Sequence, residues 1–252
     1  MATTSPSAEP RPRQSSSNTP EGAAQPVIAI AGNPNSGKTS LFNAMTGLRR
    51  KVGNYPGITV ERVEAAITLP DGRDARLVDL PGCYSLASDS EDERVARDVM
   101  LGLVPDVPKP AAVVVVVAAN ALKRNLYLAT QVIETGVPVV IALNMVDVAL
   151  REGHEVDAAA LSEHLGVPVV AVNARNGVNV DALMKVLPDG GTPGRVCRLP
   201  AAGEEALAPL AAALVPVVGE QAAEGAALRL LTSPDAEDAL LVRGGEDARK
   251  AL

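Results

Sequence analysis

Between Pro26 and Pro188 the chain alternates short, uniformly apolar runs with longer stretches of helical composition. Residues 27–31 (Val-Ile-Ala-Ile-Ala) form the first run; a Gly-rich turn and a helix-like segment, 39–46, follow it. Residues 113–117, 137–143 and 167–172 are blocks rich in β-branched side chains, with helical patterns between them. Strands that are apolar on both faces and alternate with helices predict a parallel sheet covered on each side. Residues 63–69 alternate instead, and 76–80 return after Asp71-Gly72, which predicts a hairpin.

After Pro188 the texture changes. Residues 188–194 (PDGGTPG) have the composition of a linker, and no strand pattern follows. Residues 204–215 and 220–231 have helical composition, separated by Pro216 and Gly219. Ser233-Pro234 has the chemistry of a capped helix start, and Gly244-Gly245 that of a helix end. At the other terminus, residues 1–25 are rich in Ser, Pro and Thr without apolar periodicity, so a disordered tail is expected there. The expected organisation is a tail (1–25), an α/β domain (26–188), and a linker with a small all-helical domain (189–252).

Composition sharpens this picture in three ways. Apolar residues make up 47% of the 252 but aromatics only 2%, so the core must be built from Ala, Val, Leu and Ile. The net charge of −7 argues against a nucleic-acid platform, which needs a basic face to neutralise phosphates. Cys83 and Cys197 stand far apart with no thiol or His at ligand spacing, which disfavours a disulfide framework or a zinc site. The start of the chain lacks the apolar stretch of a signal peptide. Residues 111–122, the most apolar run, fall short of the roughly 20 residues a bilayer takes, so no membrane span is expected.

The chemistry lies at the strand ends. Gly32-Asn33-Pro34-Asn35-Ser36-Gly37-Lys38-Thr39 fits G-x-x-x-x-G-K-[ST] directly after a strand and before a helix, the context that motif requires. Its backbone N–H groups and the helix N-terminus suit a β-phosphate; Lys38 reaches β- and γ-phosphates; and Thr39, with Ser40 beside it, brings a hydroxyl to Mg²⁺. Asp79-Leu80-Pro81-Gly82 ends the second hairpin strand, where an Asp holds Mg²⁺ through water and the Gly82 N–H senses the γ-phosphate. Asn144-Met145-Val146-Asp147 ends the strand 137–143. The Asp147 carboxylate can accept from guanine N1–H and the exocyclic amine, a donor pair adenine lacks. Asn144 would brace the loops around the base, with Met145 between the two.

Two weaker elements complete the set. Gly57-Ile58-Thr59 lies between the P-loop helix and the hairpin, where a switch Thr must reach Mg²⁺ and the γ-phosphate. Asn173-Ala174-Arg175 follows the last strand, where a backbone N–H meets guanine O6; Asn173 stands where GTPases usually have Ser or Thr. Cys83 takes the place at which Ras-like proteins carry the Gln that orients the attacking water. Water must then be placed by backbone, another side chain or a second protein, and slow intrinsic turnover is expected. The acidic run 89–93 suits a solvated helix start or, alternatively, a cation or partner contact in a switch.

On these residues the chain resembles the cytoplasmic N-terminal part of the FeoB family of bacterial ferrous iron transport proteins. The likeness is carried by residues 32–43 (GNPNSGKTSLFN), 52–61 (VGNYPGITVE) and 79–86 (DLPGCYSL), with 124–128 and 142–147 adding to it. Ala118-Ala119-Asn120 departs from the family's Asp-Ala-Thr/Ser-Asn, a position outside the nucleotide contacts. The resemblance implies a Ras-like P-loop GTPase sheet flanked by helices, followed by a small helical domain that influences nucleotide release. It also implies GTP/GDP as ligand, and a membrane transport domain for Fe²⁺ later in the same polypeptide. The site would then be the cytoplasmic face of the bacterial inner membrane. Potassium-stimulated hydrolysis is implied as well, with Asn35 and carbonyls near Gly53 and Tyr55 as K⁺ ligands, although a loop-stabilising amide is the other role open to Asn35. Lys38, Thr59, Gly82 and Asn35 are the expected catalytic set. A ribosome- or tRNA-associated GTPase is the competing reading; such proteins usually add a basic RNA-binding module, and this acidic chain shows none. Oligomerisation is left open.

Overall fold

The computed structural model describes residues 25–55, 59–87, 90–104, 107–187, 196, 199–232 and 239–251. The tail expected over 1–25 (save Gln25), the linker 188–194, Cys197 and the helix start Ser233-Pro234 lie outside the described residues. Seven strands form one sheet: β1 (Val27–Gly32), β2 (Lys51–Asn54), β3 (Glu61–Thr68), β4 (Asp74–Asp79), β5 (Ala112–Ala118), β6 (Val139–Asn144) and β7 (Val169–Ala171). Their order is β2-β3-β4-β1-β5-β6-β7. From β4 to β7 all neighbours are parallel; β2, β3 and β4 pair antiparallel. The sheet is therefore mixed, a parallel block with a hairpin meander along one edge.

Strand β2 was not legible in the sequence. Its four residues are all exposed and carry no alternating pattern; backbone pairing with β3 alone makes it a strand. By contrast β5 is five valines flanked by alanines, and Val113 through Val117 have no exposed surface. Alternate residues of the central strands feed two separate cores. Ala29, Val113, Val115 and Ile141 pack towards α2 (Glu91–Met100) and α3 (Leu122–Ile133). Ile30, Val114, Val116 and Val140 pack towards α1 (Lys38–Thr46) and α6 (Val180–Val186). Period-two alternation with both faces apolar thus becomes a three-layer α/β sandwich. Two short helices, α4 (Val146–Arg151) and α5 (Ala158–Leu165), complete that unit.

Three further helices, α7 (Ala201–Val218), α8 (Glu220–Thr232) and α9 (Ala239–Ala251), share a third core. Leu101 and Leu103, from the segment after α2, enter it. Helix α7 starts earlier than its composition suggested and runs through both Pro209 and Pro216 before Gly219 ends it. A proline in a helix forfeits one hydrogen bond and crowds the preceding turn; here the buried stripe Leu207, Leu210, Leu214, Val218 outweighs that local cost. Within α9 the helical backbone breaks at Gly245 (φ 65, ψ −149), where Gly244-Gly245 was expected to end a helix, and a second helical stretch runs on to Ala251. With 18 residues and a mean hydropathy of 1.4, α7 is long and apolar enough, by length and composition only, to cross a membrane, which residues 111–122 are not. In the fold its leucines face α8 and α9.

Candidate nucleotide site

The segment from Gly32 to Gly37 joins β1 to α1 as a compact loop. Asn35 and Gly37 both take left-handed backbone (φ 64 and 94), and Ser36 N–H donates to the Asn33 carbonyl (3.2 Å). No side chain caps α1, so its first-turn N–H groups keep their donors for another acceptor. Gly37 is required sterically as well, because a Cβ there would overlap Asn144 Nδ2. Asn33 and Ser36 are buried, and the Asn33 amide and Ser36 hydroxyl have no partner among the described residues. Unpaired buried polar groups cost free energy, and an anionic ligand in the loop is the natural relief for the donors. Asn35, Thr39 and Ser40 are exposed.

Lys38 crosses from this loop to the end of β4, where its Nζ lies 2.6 Å from Asp79 Oδ1. Burial holds the Asp79 carboxyl above the usual carboxylate range, against the opposing pull of Lys38. The D-x-x-G turn packs onto the P-loop: Leu80 N–H donates to Ile30 O (2.9 Å) and Cys83 N–H to Gly32 O (3.3 Å). A Cβ on Gly82 would lie 3.4 Å from Pro34, an ordinary contact, so the turn and the loop touch here. Cys83 is buried at 1% exposure, and its thiol is pushed up to about 12, mainly by burial.

One side chain ties the phosphate end to the base end. Asn144, 4% exposed, donates through Nδ2 to Ser36 O (2.9 Å) and accepts through Oδ1 from Ala174 N–H (3.1 Å). The Ala174 N–H, expected to meet guanine O6, is thus already engaged by Asn144. Asn173 Oδ1 accepts from the N–H groups of Arg175 (3.2 Å) and Asn176 (3.4 Å); its amide shapes the turn that presents Ala174, which gives the departure from Ser or Thr a local role. Met145 adopts φ 60 at the start of α4. Asp147 is exposed and pairs with Arg151 at 3.1 Å, a surface pair of small energetic weight that leaves the carboxylate available.

The switch residues are not gathered in. Thr59 is exposed, and its Oγ1 lies 3.4 Å from Glu91 Oε2 at the start of α2. Gly53 sits in β2, paired with Arg62, three positions from β1 in the sheet, about 14 Å at ordinary strand spacing. Tyr55 N–H donates to Val60 O (3.1 Å), while its ring is buried in the core with a hydroxyl that has no partner among the described residues. The zipped hairpin keeps these groups on the sheet edge, so sharing a cation with Asn35 requires the segment 51–60 to fold over the P-loop. Gly57 and Ile58 lie outside the described residues. Glu93, from the acidic run 89–93, accepts from the Tyr84 N–H (3.1 Å) just past the D-x-x-G turn; sequence reasoning missed Gln131, which accepts from the Leu86 N–H (2.8 Å). No motif marks Gln131.

A strand–loop–helix that leaves its first-turn amides open, a Lys–Asp pair across it, and an Asn joining it to a base-side loop together define a P-loop nucleotide-binding fold of the GTPase kind. The particular lineage follows from comparison: the model of the family Ferrous iron transport protein B, N-terminal part, matches residues 26–187, and the chain belongs to that family. Over 161 residues it is 44% identical to the Fe(2+) transporter FeoB of Salmonella typhimurium, a match covering 62% of this chain and 20% of that protein. The chain thus corresponds to about a fifth of the curated relatives it matches. Among solved structures, the cytosolic domain of L. pneumophila FeoB superposes with a TM-score of 0.74 at 33% identity, covering 89% of this chain and 95% of that one. NFeoB from S. thermophilus bound to GDP.AlF4- and K+ gives 0.68 at 37% identity over 90% of both chains.

Proposed function

We propose that this chain is the GTP-binding and GTP-hydrolysing regulatory part of a bacterial ferrous iron transporter, acting on the cytoplasmic face of the inner membrane. Its transport partner would be a membrane domain of the same polypeptide, in keeping with relatives about five times as long as the matched region. Residues 26–188 would form the GTPase unit and 189–252 a linker and helical unit. The observation that carries the nucleotide assignment is the Asn144 bridge, because one buried amide makes the phosphate loop and the base-side loop parts of a single cleft.

In this reading the backbone of residues 32–37 and the start of α1 hold the β-phosphate. Lys38 leaves Asp79 for the β- and γ-phosphates, exchanging one anion for another at similar depth. The Asp79 carboxylate and the Thr39 hydroxyl form a hard-oxygen donor set that suits Mg²⁺, with Thr59 joining when the hairpin closes. Bound there, Mg²⁺ would neutralise charge developing on the phosphates. Asn35, with the Gly53 and Tyr55 carbonyls, would hold K⁺; the S. thermophilus relative bound to K+ supports the ion. The Gly82 N–H, held against Pro34, reports the γ-phosphate to the loop that follows. Buried Cys83 cannot orient water as a Gln does, so intrinsic turnover is slow.

Guanine selection rests on Asp147. Replacing Asp147 by Asn should weaken GTP by several kcal/mol and favour the xanthosine nucleotide, whose carbonyl replaces the amine. Competition binding with GTP, ATP and XTP checks this; equal affinity of the unmodified chain for GTP and ATP overturns the assignment.

A further inference from the structure

Away from the nucleotide cleft, a cavity of about 360 Å³ lies where α3, α8 and the end of the D-x-x-G loop meet. It opens to solvent beside Tyr127, which is 57% exposed, and its volume falls at the lower end of those that hold small-molecule ligands. The two helices come together beside it: a Cβ on Gly225 would overlap the Glu134 carbonyl oxygen, and both residues line the cavity. The walls are largely hydrocarbon, from Leu86, Leu101, Tyr127, Leu199 and Leu228.

The polar groups on the lining are mostly committed already. Thr130 Oγ1 donates to Tyr127 O (3.0 Å) and Thr135 Oγ1 to Val132 O (2.7 Å). Of the charged lining residues Arg97, Glu134 and Arg229, each is already engaged; Arg97, 2% exposed, is held through Nε by Asp98 at 2.8 Å. Gln131 Oε1 is used by Leu86 N–H, which leaves its Nε2 as an amide donor. A charged ligand would have to break a buried ion pair or enter without a partner, and either is costly. An apolar body with one acceptor oxygen meets the walls and the Gln131 amide without disturbing them.

We propose that this cavity binds an uncharged, mainly apolar small molecule carrying one carbonyl or ether oxygen. An occupant touches Leu86 and Gln131 together, and so restrains the stretch that begins four residues after Gly82. This site is independent of the GTPase assignment, since none of its walls belongs to the nucleotide cleft.

Prodan, an uncharged naphthalene ketone whose emission moves to the blue in apolar surroundings, is a direct probe. Titrated into the full chain with GDP in excess, it should give saturable, single-site, blue-shifted emission. Thr130→Leu and Ala226→Leu both fill the cavity from opposite walls and should each weaken prodan at least tenfold without changing GDP affinity. Thr130 is only half-buried, so its variant keeps the test decisive if Ala226→Leu fails to fold. Non-saturating emission, or unchanged prodan affinity in the folded Thr130→Leu variant, overturns the proposal.

Discussion

Cys83 stands at the place where a water-orienting Gln would be expected, and its surroundings explain what it does instead. The side chain is buried beneath the loop, its thiol is pushed up to about 12, and its N–H is spent on Gly32 O. Reactivity belongs to the thiolate, so Cys83 should resist iodoacetamide at mildly alkaline pH in the folded chain and react once denaturant is added. Cys83→Ala should keep kcat within about threefold, roughly 0.7 kcal/mol, in a single-turnover GTPase assay; a hundredfold loss would give the thiol a catalytic part. Individual residues were legible wherever spacing along the chain encodes the chemistry. Lys38, Asp79 and Asn144 were singled out that way, and the fold places Lys38 at the start of α1 and the other two at strand ends. Gln131 was not, because its bond to Leu86 joins residues 45 apart in sequence and depends on how α3 lies over the sheet.

Elements were legible in proportion to how much apolar surface they bury. Strands β1, β5 and β6 announced themselves as unbroken apolar blocks, whereas β2, wholly exposed, exists only through its ladder to β3. The prolines of α7 show packing in the third core overriding local breaker signals, whereas Gly245 in α9 breaks the helix where the sequence signals it. Gly225 is the most demanding point in that region. In an exposed helix Gly→Ala would gain up to about 1 kcal/mol, but here the added methyl meets backbone of α3 rather than a side chain that can turn away. Gly225→Ala should therefore destabilise the chain by about 1–3 kcal/mol, measured as a lower midpoint in urea with an unchanged slope.

At the scale of the whole molecule, the α/β sheet and the helical trio are joined where Leu101 and Leu103 enter the third core and Arg243 of α9 donates to the Leu103 carbonyl (2.9 Å). The fold class and the order of motifs followed from the sequence because they are set by strand ends and helix starts. The pairing of β2 with β3 did not, since four exposed residues carry no pattern that marks a strand. Potassium tests whether β2 and the P-loop act together. If Asn35, Gly53 and Tyr55 share K⁺ during hydrolysis, GTP turnover should be faster in KCl than in NaCl at equal ionic strength. The gain should appear in kcat more than in KM, and Asn35→Ala should remove it. Equal rates in the two salts, or an Asn35→Ala variant that still responds to K⁺, would rule out the shared site.

Tyr55 turns that hairpin into something that can be watched with light. The chain has no tryptophan and only three tyrosines, so its near-ultraviolet spectrum is almost entirely phenolic. Burial raises the Tyr55 phenol well above its ordinary 10.0, which means the proton is kept while the ring stays in the core. The stability this contributes is complete below the ordinary phenol value and is lost as pH climbs from there towards the folded value, because only the opened state can release the proton. Phenolate absorbance after a jump to alkaline pH should therefore contain a slow component that Tyr55→Phe abolishes. Its rate is that at which the sheet edge lets go of the ring. Were that component absent, or still present in the Phe variant, the ring would not be the latch of the edge. Run at several GTP concentrations, the same absorbance trace becomes a stopwatch for switch opening, with no label attached to the protein.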